Sequence, residues 1–128
     1  MAELIFNDIT DKIIKAFYGV YNELGRGFLE NVYENSMMIT LKEQGLATEQ
    51  QKGIDVYFRN NLVGEYRADI IVEDKIILEL KACRTFAPEH EAQIIHYLKA
   101  TGLSVGMLLN FGDKPEFKRV VYENLRKK

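Results

Sequence analysis

An α/β fold, with one mixed β-sheet covered by helices, is what this sequence predicts, on three observations. Early in the chain, apolar residues recur at helical spacing; through its middle they alternate at strand spacing. A further helical stretch then stands between two apolar, strand-like runs, so the order is helix, helix, three strands, helix, two strands (ααβββαββ). The strand–helix–strand step calls for a parallel crossover, expected right-handed, whereas short turns between the earlier strands call for antiparallel pairs. The sheet should therefore be mixed.

The elements follow in order. Ile9, Ile13, Ala16, Phe17, Val20, Tyr21 and Leu24 make one buried stripe of a helix from about Asn7 to Leu24. Asn7 or Asp8 can cap its start, and Gly25 can stop it. A second helix is expected from Phe28 to Gln44, closed by Gly45. Within Thr48–Phe58 the later half alternates, with Ile54, Val56 and Phe58 against Asp55 and Tyr57, so a strand is expected there. Arg59-Asn60-Asn61 reads as a hairpin turn into a long strand, Leu62–Val72, which Gly64 can bend or bulge. Glu73-Asp74-Lys75 turns into the strand Ile76–Lys81. Pro88 suits the first turn of a third helix reaching Thr101, Glu89 and Glu91 favour its positive end, and Gly102 stops it. Val105–Phe111 reads as a buried strand and Phe117–Val121 as a short last one.

One domain over residues 1–128 accommodates this order, without a linker, repeat or low-complexity segment. Apolar residues make up 47% and charged residues 28%, enough for an ordinary hydrophobic core. Apolar runs fall short of the roughly 18 residues of a membrane span, and no charged-then-apolar leader opens the chain, so no membrane is expected. Cys83 is the lone cysteine, which leaves no internal disulfide or zinc cluster; a cytoplasmic location is the expectation. The net charge of −2 counts against coating nucleic acid through bulk charge. Lys114, Lys118, Arg119, Arg126, Lys127 and Lys128 outnumber Glu116 and Glu123 near the C-terminus. A solvated tail is the simpler reading, a phosphate-contacting patch the other.

The chemistry concentrates between Tyr66 and Ala82. Alternation sets Tyr66, Ala68, Ile70 and Val72 on one strand face, and Arg67, Asp69 and Ile71 on the other. On the next strand Ile76, Leu78 and Leu80 share a face, opposite Ile77, Glu79 and Lys81. Glu79 and Lys81 are then about 6.5–7 Å apart. With Asp69 across from them, two carboxylates and an ammonium converge on an apolar sheet. An unpaired buried carboxylate costs on the order of several kcal/mol. A divalent cation is the usual remedy.

Asp69, followed after ten residues by Glu79-Leu80-Lys81, resembles the D-x(n)-E-x-K pattern of the PD-(D/E)XK nuclease superfamily. Gly27-Phe28-Leu29-Glu30-Asn31-Val32-Tyr33 resembles the signature of its small bacterial GxxExxY branch, as do Leu108-Leu109-Asn110-Phe111-Gly112 and Lys118-Arg119. Ala68 stands where the superfamily name has proline, a position that is not a ligand. The resemblance implies a restriction-endonuclease-like core. It implies Mg²⁺ or Mn²⁺ held by Asp69, Glu79, the Leu80 carbonyl and Glu30, the kind of oxygen ligands such ions prefer. Lys81 would position or deprotonate the attacking water. Gln93 and Tyr97 resemble the Q-x-x-x-Y motif of RecB-like nucleases and would orient Lys81 or a phosphate. Tyr33, Arg26 and Arg84 complete the expected substrate contacts.

Each residue also has a plainer reading. Glu79 and Lys81 can be a salt-bridged pair at a strand end, and Asp69 can sit on a wet sheet face. Glu30 suits a first helical turn by the helix dipole alone. Gln93 and Tyr97 can be simple i,i+4 neighbours, His90 and His96 surface residues, and Cys83 a small apolar group. Two functions follow. One is a metal-dependent nuclease, with DNA expected as substrate rather than RNA. The other is a catalytically silent nuclease-fold module that binds nucleic acid or a protein partner. With so little positive charge, substrate capture is expected to draw on a homodimer or a protein partner.

Overall fold

A computed structural model describes residues 6–123. The order is α1 (Asn7–Leu24), α2 (Glu30–Glu43), β1 (Thr48–Phe58), β2 (Asn61–Val72), β3 (Ile76–Lys81), α3 (Pro88–Thr101), β4 (Val105–Phe111) and β5 (Pro115–Val121). The five strands lie side by side in sequence order. β3 and β4 are parallel, as the intervening α3 requires, and the other neighbours are antiparallel. α1 and α2 cover one face, where Ile13, Phe17, Met37 and Leu41 pack on Ile70, Leu78, Leu80 and Leu109. α3 covers the other, setting Ile94, Tyr97 and Leu98 on Ile71, Ile77 and Leu108. Each fully buried aliphatic side chain of this kind contributes about 2 kcal/mol.

Several boundaries differ from the sequence reading. Neither Asn7 nor Asp8 caps α1; Phe6 occupies the cap position, with φ of 60°, and no side chain bonds there. α2 starts at Glu30, because Gly27 has φ of 108° and Leu29 is extended. β1 spans all of Thr48–Phe58, its polar first half pairing with Ile70–Val72. β5 begins at Pro115. The hairpin turn is Arg59-Asn60, both with positive φ. Val56 faces Gly64 while Tyr57 faces Leu62, so the strand does bulge beside Gly64, with Val63 as the extra residue.

The largest correction concerns β2. Ile70 and Val72 pack under α1 and α2, but Ala68 packs under α3 and Tyr66 lies against Tyr97 of that helix. Strict alternation therefore breaks at Asp69. Opposite this break, Gln51 of β1 has φ of 54°. β2 is laddered to β3 only through Ile70–Val72 with Ile76–Leu78, so the outer part of the β1–β2 hairpin runs on as a two-stranded ribbon. Of the C-terminal basic residues, Lys118 pairs with Glu91 at the α3 N-terminus. Arg126, Lys127 and Lys128 lie outside the described residues.

Close approach fixes one glycine. A Cβ on Gly112 would collide with the Cys83 carbonyl oxygen, a backbone atom that cannot turn away. We expect Gly112→Ala to lose about 2 kcal/mol or more and to melt at lower temperature. Gly53→Ala, where nothing lies within 4 Å, is the control and should melt close to wild type.

Candidate functional site

Continuing the β2–β3 register one step would place Asp69 opposite Glu79, but the ladder ends at Ile70 and Leu78. Side chains take its place. The Asp69 N–H donates to Glu79 Oε2 at 3.0 Å, and the Leu80 N–H donates to Asp69 Oδ2 at 2.8 Å. Each carboxylate thus serves the other strand's backbone, and the two acids are held together where the strands part. Both pay electrostatically. Burial, then repulsion from Asp69, raises Glu79 to about 8 from its ordinary 4.5. Burial, with repulsion from Glu34 and Glu30, also raises Asp69 above the usual carboxylate value.

Lys81 is half-buried one strand repeat beyond Glu79. Its ammonium pulls both carboxylates down through space, yet it is in no direct ion pair among the described residues. A Glu79–Lys81 salt bridge is therefore not what the acids are for. Glu30, the first residue of α2, reaches across so that its Oε2 accepts the Ala82 N–H at 3.2 Å. Four residues on, Glu34 is buried and accepts Gln50 Nε2 at 2.6 Å and Gln51 Nε2 at 3.0 Å. Gln51 Nε2 also stands 3.5 Å from Asp69 Oδ1. Four acids and one lysine thus surround the end of the β2–β3 ladder.

Among the described residues no three His, Cys, Asp or Glu side chains form a ready-made metal cage. The donors still suit a hard divalent cation: they are all carboxylate oxygens, Asp69 and Glu79 each give only one oxygen to a backbone N–H, and the second oxygen of Asp69 meets only the long contact from Gln51. Excess negative charge is what such an ion offsets.

The other expected residues sort clearly. Gln93 Nε2 donates to the Tyr97 hydroxyl at 2.9 Å, so these two hold each other and Gln93 is not bonded to Lys81. Tyr97 is buried; desolvation, with the Glu79 carboxylate nearby, pushes its phenol up to about 12. Tyr33 is corrected. It is fully buried, donates to the Gly25 carbonyl at 2.6 Å, accepts the Phe28 N–H, and stacks on Phe111, so it pins the α1–α2 loop and cannot meet a substrate. Arg26 and Arg84 are exposed and both face Asp113, at 3.1 and 3.9 Å. With Phe28, Ala82 and Cys83 they border a cleft of about 470 Å³ beside the strand end. His90 Nδ1 accepts the Ala87 N–H at the start of α3, a capping role, and His96 is exposed.

Three residues received no role in the sequence reading, although Asn110 stood in one of its motif segments. Glu34 lies four positions after Glu30, hence on the same helix face, which was an available signal. Asn110 is a fully buried amide in an otherwise apolar strand. It clasps Cys83 from both ends, accepting its N–H at 3.0 Å and donating to its carbonyl at 2.8 Å, and so fixes the segment just after Lys81. Gln51 carried no signal at all.

The family model of the PD-(D/E)XK nuclease superfamily matches residues 7–120. No curated protein matches the chain. Among solved structures, SSO0001 is similar at 20% identity and a TM-score of 0.55, over 74% of this chain and 50% of that one. An alkaline exonuclease from Laribacter hongkongensis, LHK-Exo, is similar at 15% identity and a TM-score of 0.55, over 73% and 56%. At these identities the likeness is one of fold, and the chain spans about half the length of either structure.

The raised Glu79 pKa sets a sign. At pH below 4.5 Glu79 is protonated whether folded or unfolded; between 4.5 and 8 the unfolded chain ionises while the folded one resists, so metal-free stability falls. We expect Glu79→Gln to keep the bond to the Asp69 N–H and to melt progressively higher than wild type as pH rises through that window in chelator. A variant that melts below wild type at pH 8 would show that the carboxylate charge stabilises the fold.

Proposed function

The chain belongs to the PD-(D/E)XK nuclease superfamily, and from that membership we propose that it hydrolyses phosphodiester bonds of nucleic acid, DNA in particular, at Asp69, Glu79 and Lys81. The observation that carries the reading is the Asp69–Glu79 clasp at the end of the β2–β3 ladder. A buried Glu79 and a half-buried Asp69 held together, with Asp69 repelling the Glu79 charge, cost the metal-free fold electrostatically, and a charged ligand gives that cost a purpose. Superfamily members typically use divalent metals. Here Asp69 and Glu79 would hold Mg²⁺ or Mn²⁺, with the Leu80 carbonyl and Glu30 as further oxygen donors.

Such an ion, when bound, supplies Lewis-acid neutralisation of phosphate charge and acidifies a water. The chain's own groups supply the rest. Lys81 holds the attacking water and faces the negative charge that builds on the phosphate as the new O–P bond forms and the ester P–O bond breaks. Gln93, steadied by Tyr97, contacts the phosphate. Arg26 and Arg84 contact the flanking backbone from the neighbouring cleft. Glu30 on the Ala82 N–H and Tyr33 on Gly25 support assignment to the GxxExxY branch, since both motif residues brace the same strand end and loop. We further propose cytoplasmic action, with a dimer or partner aiding capture.

Lys81→Met keeps the alkyl stem and removes the ammonium. Cleavage of DNA in Mg²⁺ or Mn²⁺ should fall by about two orders of magnitude or more. Mn²⁺ binding by calorimetry should persist in Lys81→Met and be greatly weakened in Asp69→Asn. Absence of metal-dependent cleavage by wild type on single- and double-stranded DNA and RNA, with binding intact, would replace the nuclease by the binding module.

A further inference from the structure

Clefts of different chemistry lie on the α2 and α3 sides of the sheet. Arg26 and Arg84 border the one on the α2 side. On the α3 side, a cavity of about 430 Å³ is walled by Tyr66, Tyr97, His90 and His96. A second, of about 480 Å³, shares Tyr66 and His96 and adds Tyr57 and Lys99 from the ribbon and from α3. The pair forms a groove between α3 and the β1–β2 ribbon. It lies near the site: Gln93 and Tyr97 line it, and Tyr66 is three residues from Asp69 along β2, about 10 Å.

Aromatic surface, not charge, is what this groove offers. Asp55 and Glu89 line it too and offset Lys99. Tyr66 is 46% exposed with one side of its ring tilted onto Tyr97 at 5.5 Å, and Tyr57 is 62% exposed. A duplex turns only base edges outward, its base faces being stacked on one another. An exposed tyrosine ring therefore meets a base face only where the base is unpaired or splayed out.

We propose that the groove stacks unpaired bases, so that the substrate is a single-stranded segment of nucleic acid whose backbone runs toward Arg26 and Arg84 while its bases lie along Tyr66, Tyr57 and His96. The nuclease reading enters only in placing the scissile phosphate between the two clefts. Stacking accepts bases from DNA or RNA alike.

The test is fluorescence anisotropy in Mg²⁺ on a Lys81→Met background, which limits cleavage during the measurement. The probes are labelled oligothymidylate, oligouridylate, an abasic DNA strand of equal length and a blunt duplex. Tyr66→Leu should weaken binding of the base-bearing strands by about tenfold or more. It should leave the abasic strand and the duplex within about twofold, with the salt slope unchanged. Tyr57→Ala, at an exposed position that does not threaten the fold, should show the same pattern at smaller size. The thymidylate and uridylate arms distinguish DNA from RNA, and base-dependent loss on either supports the groove. Equal losses on abasic and base-bearing strands would overturn it, as would tight duplex binding that neither variant alters. Base-dependent binding through Tyr66 without cleavage of any substrate would keep the groove and remove the nuclease. Duplex cleavage unaffected by Tyr66→Leu or Tyr57→Ala, measured with Lys81 intact, would do the reverse.

Discussion

Where β2 leaves β3, the N–H groups of Asp69 and Leu80 turn to side chains for their acceptors, and a buried N–H left unpaired costs about 1–3 kcal/mol. Asp69 and Glu79 supply those acceptors reciprocally. The arrangement lets the sheet change character at that point. After it, at Ile70–Val72, β2 is an inner strand bonded on both sides; before it, the β1–β2 ribbon extends with its inner residues Ile54 and Ala68 against α3. The same bonds bring two acids into one small volume; burial raises both pKa values, repulsion from Asp69 adds to that of Glu79, and the site is left short of positive charge.

The surrounding elements hold that volume from different directions. Glu30 ties α2 to the end of β3, Glu34 ties α2 to Gln50 and Gln51 of β1, and Asn110 ties β4 to Cys83. Each is a side chain bonding backbone or amide across an element boundary. Such contacts give directional order at places where apolar packing, which is not directional, gives none. Among the described residues the buried polar side chains are Thr10, Glu34, Glu79 and Asn110, and three of these four belong to this bracing.

Most of the fold was legible in the chain because its signals are local. The α1 stripe, the Gly25 and Gly102 stops, Pro88 at the head of α3 and the apolar β4 run each report on a few neighbouring residues, and all of these elements stand where their patterns put them. The first half of β1 was hidden because its side chains are polar on both faces, held by pairing with β2 rather than by a buried face of its own. Strict alternation over Tyr66–Val72 failed for a related reason. Alternation assumes a regular ladder, and the ladder here is interrupted at Asp69.

By itself the sequence determined the chemistry available: Asp69, Glu79 and Lys81 at strand spacing, a carboxylate at the head of α2, and a mixed sheet to carry them. Tertiary structure alone decided which groups meet. It turned Tyr33 inward to Gly25 and Phe111 and drew in Glu34, Gln51 and Asn110, whereas the Gln93–Tyr97 bond is the local i,i+4 contact that the sequence also allowed. The physical reason is range. Helix and strand signals act between residues a few positions apart, whereas hydrogen bonds such as Glu30 to Ala82, 52 residues apart, exist only once the sheet has brought distant backbone together.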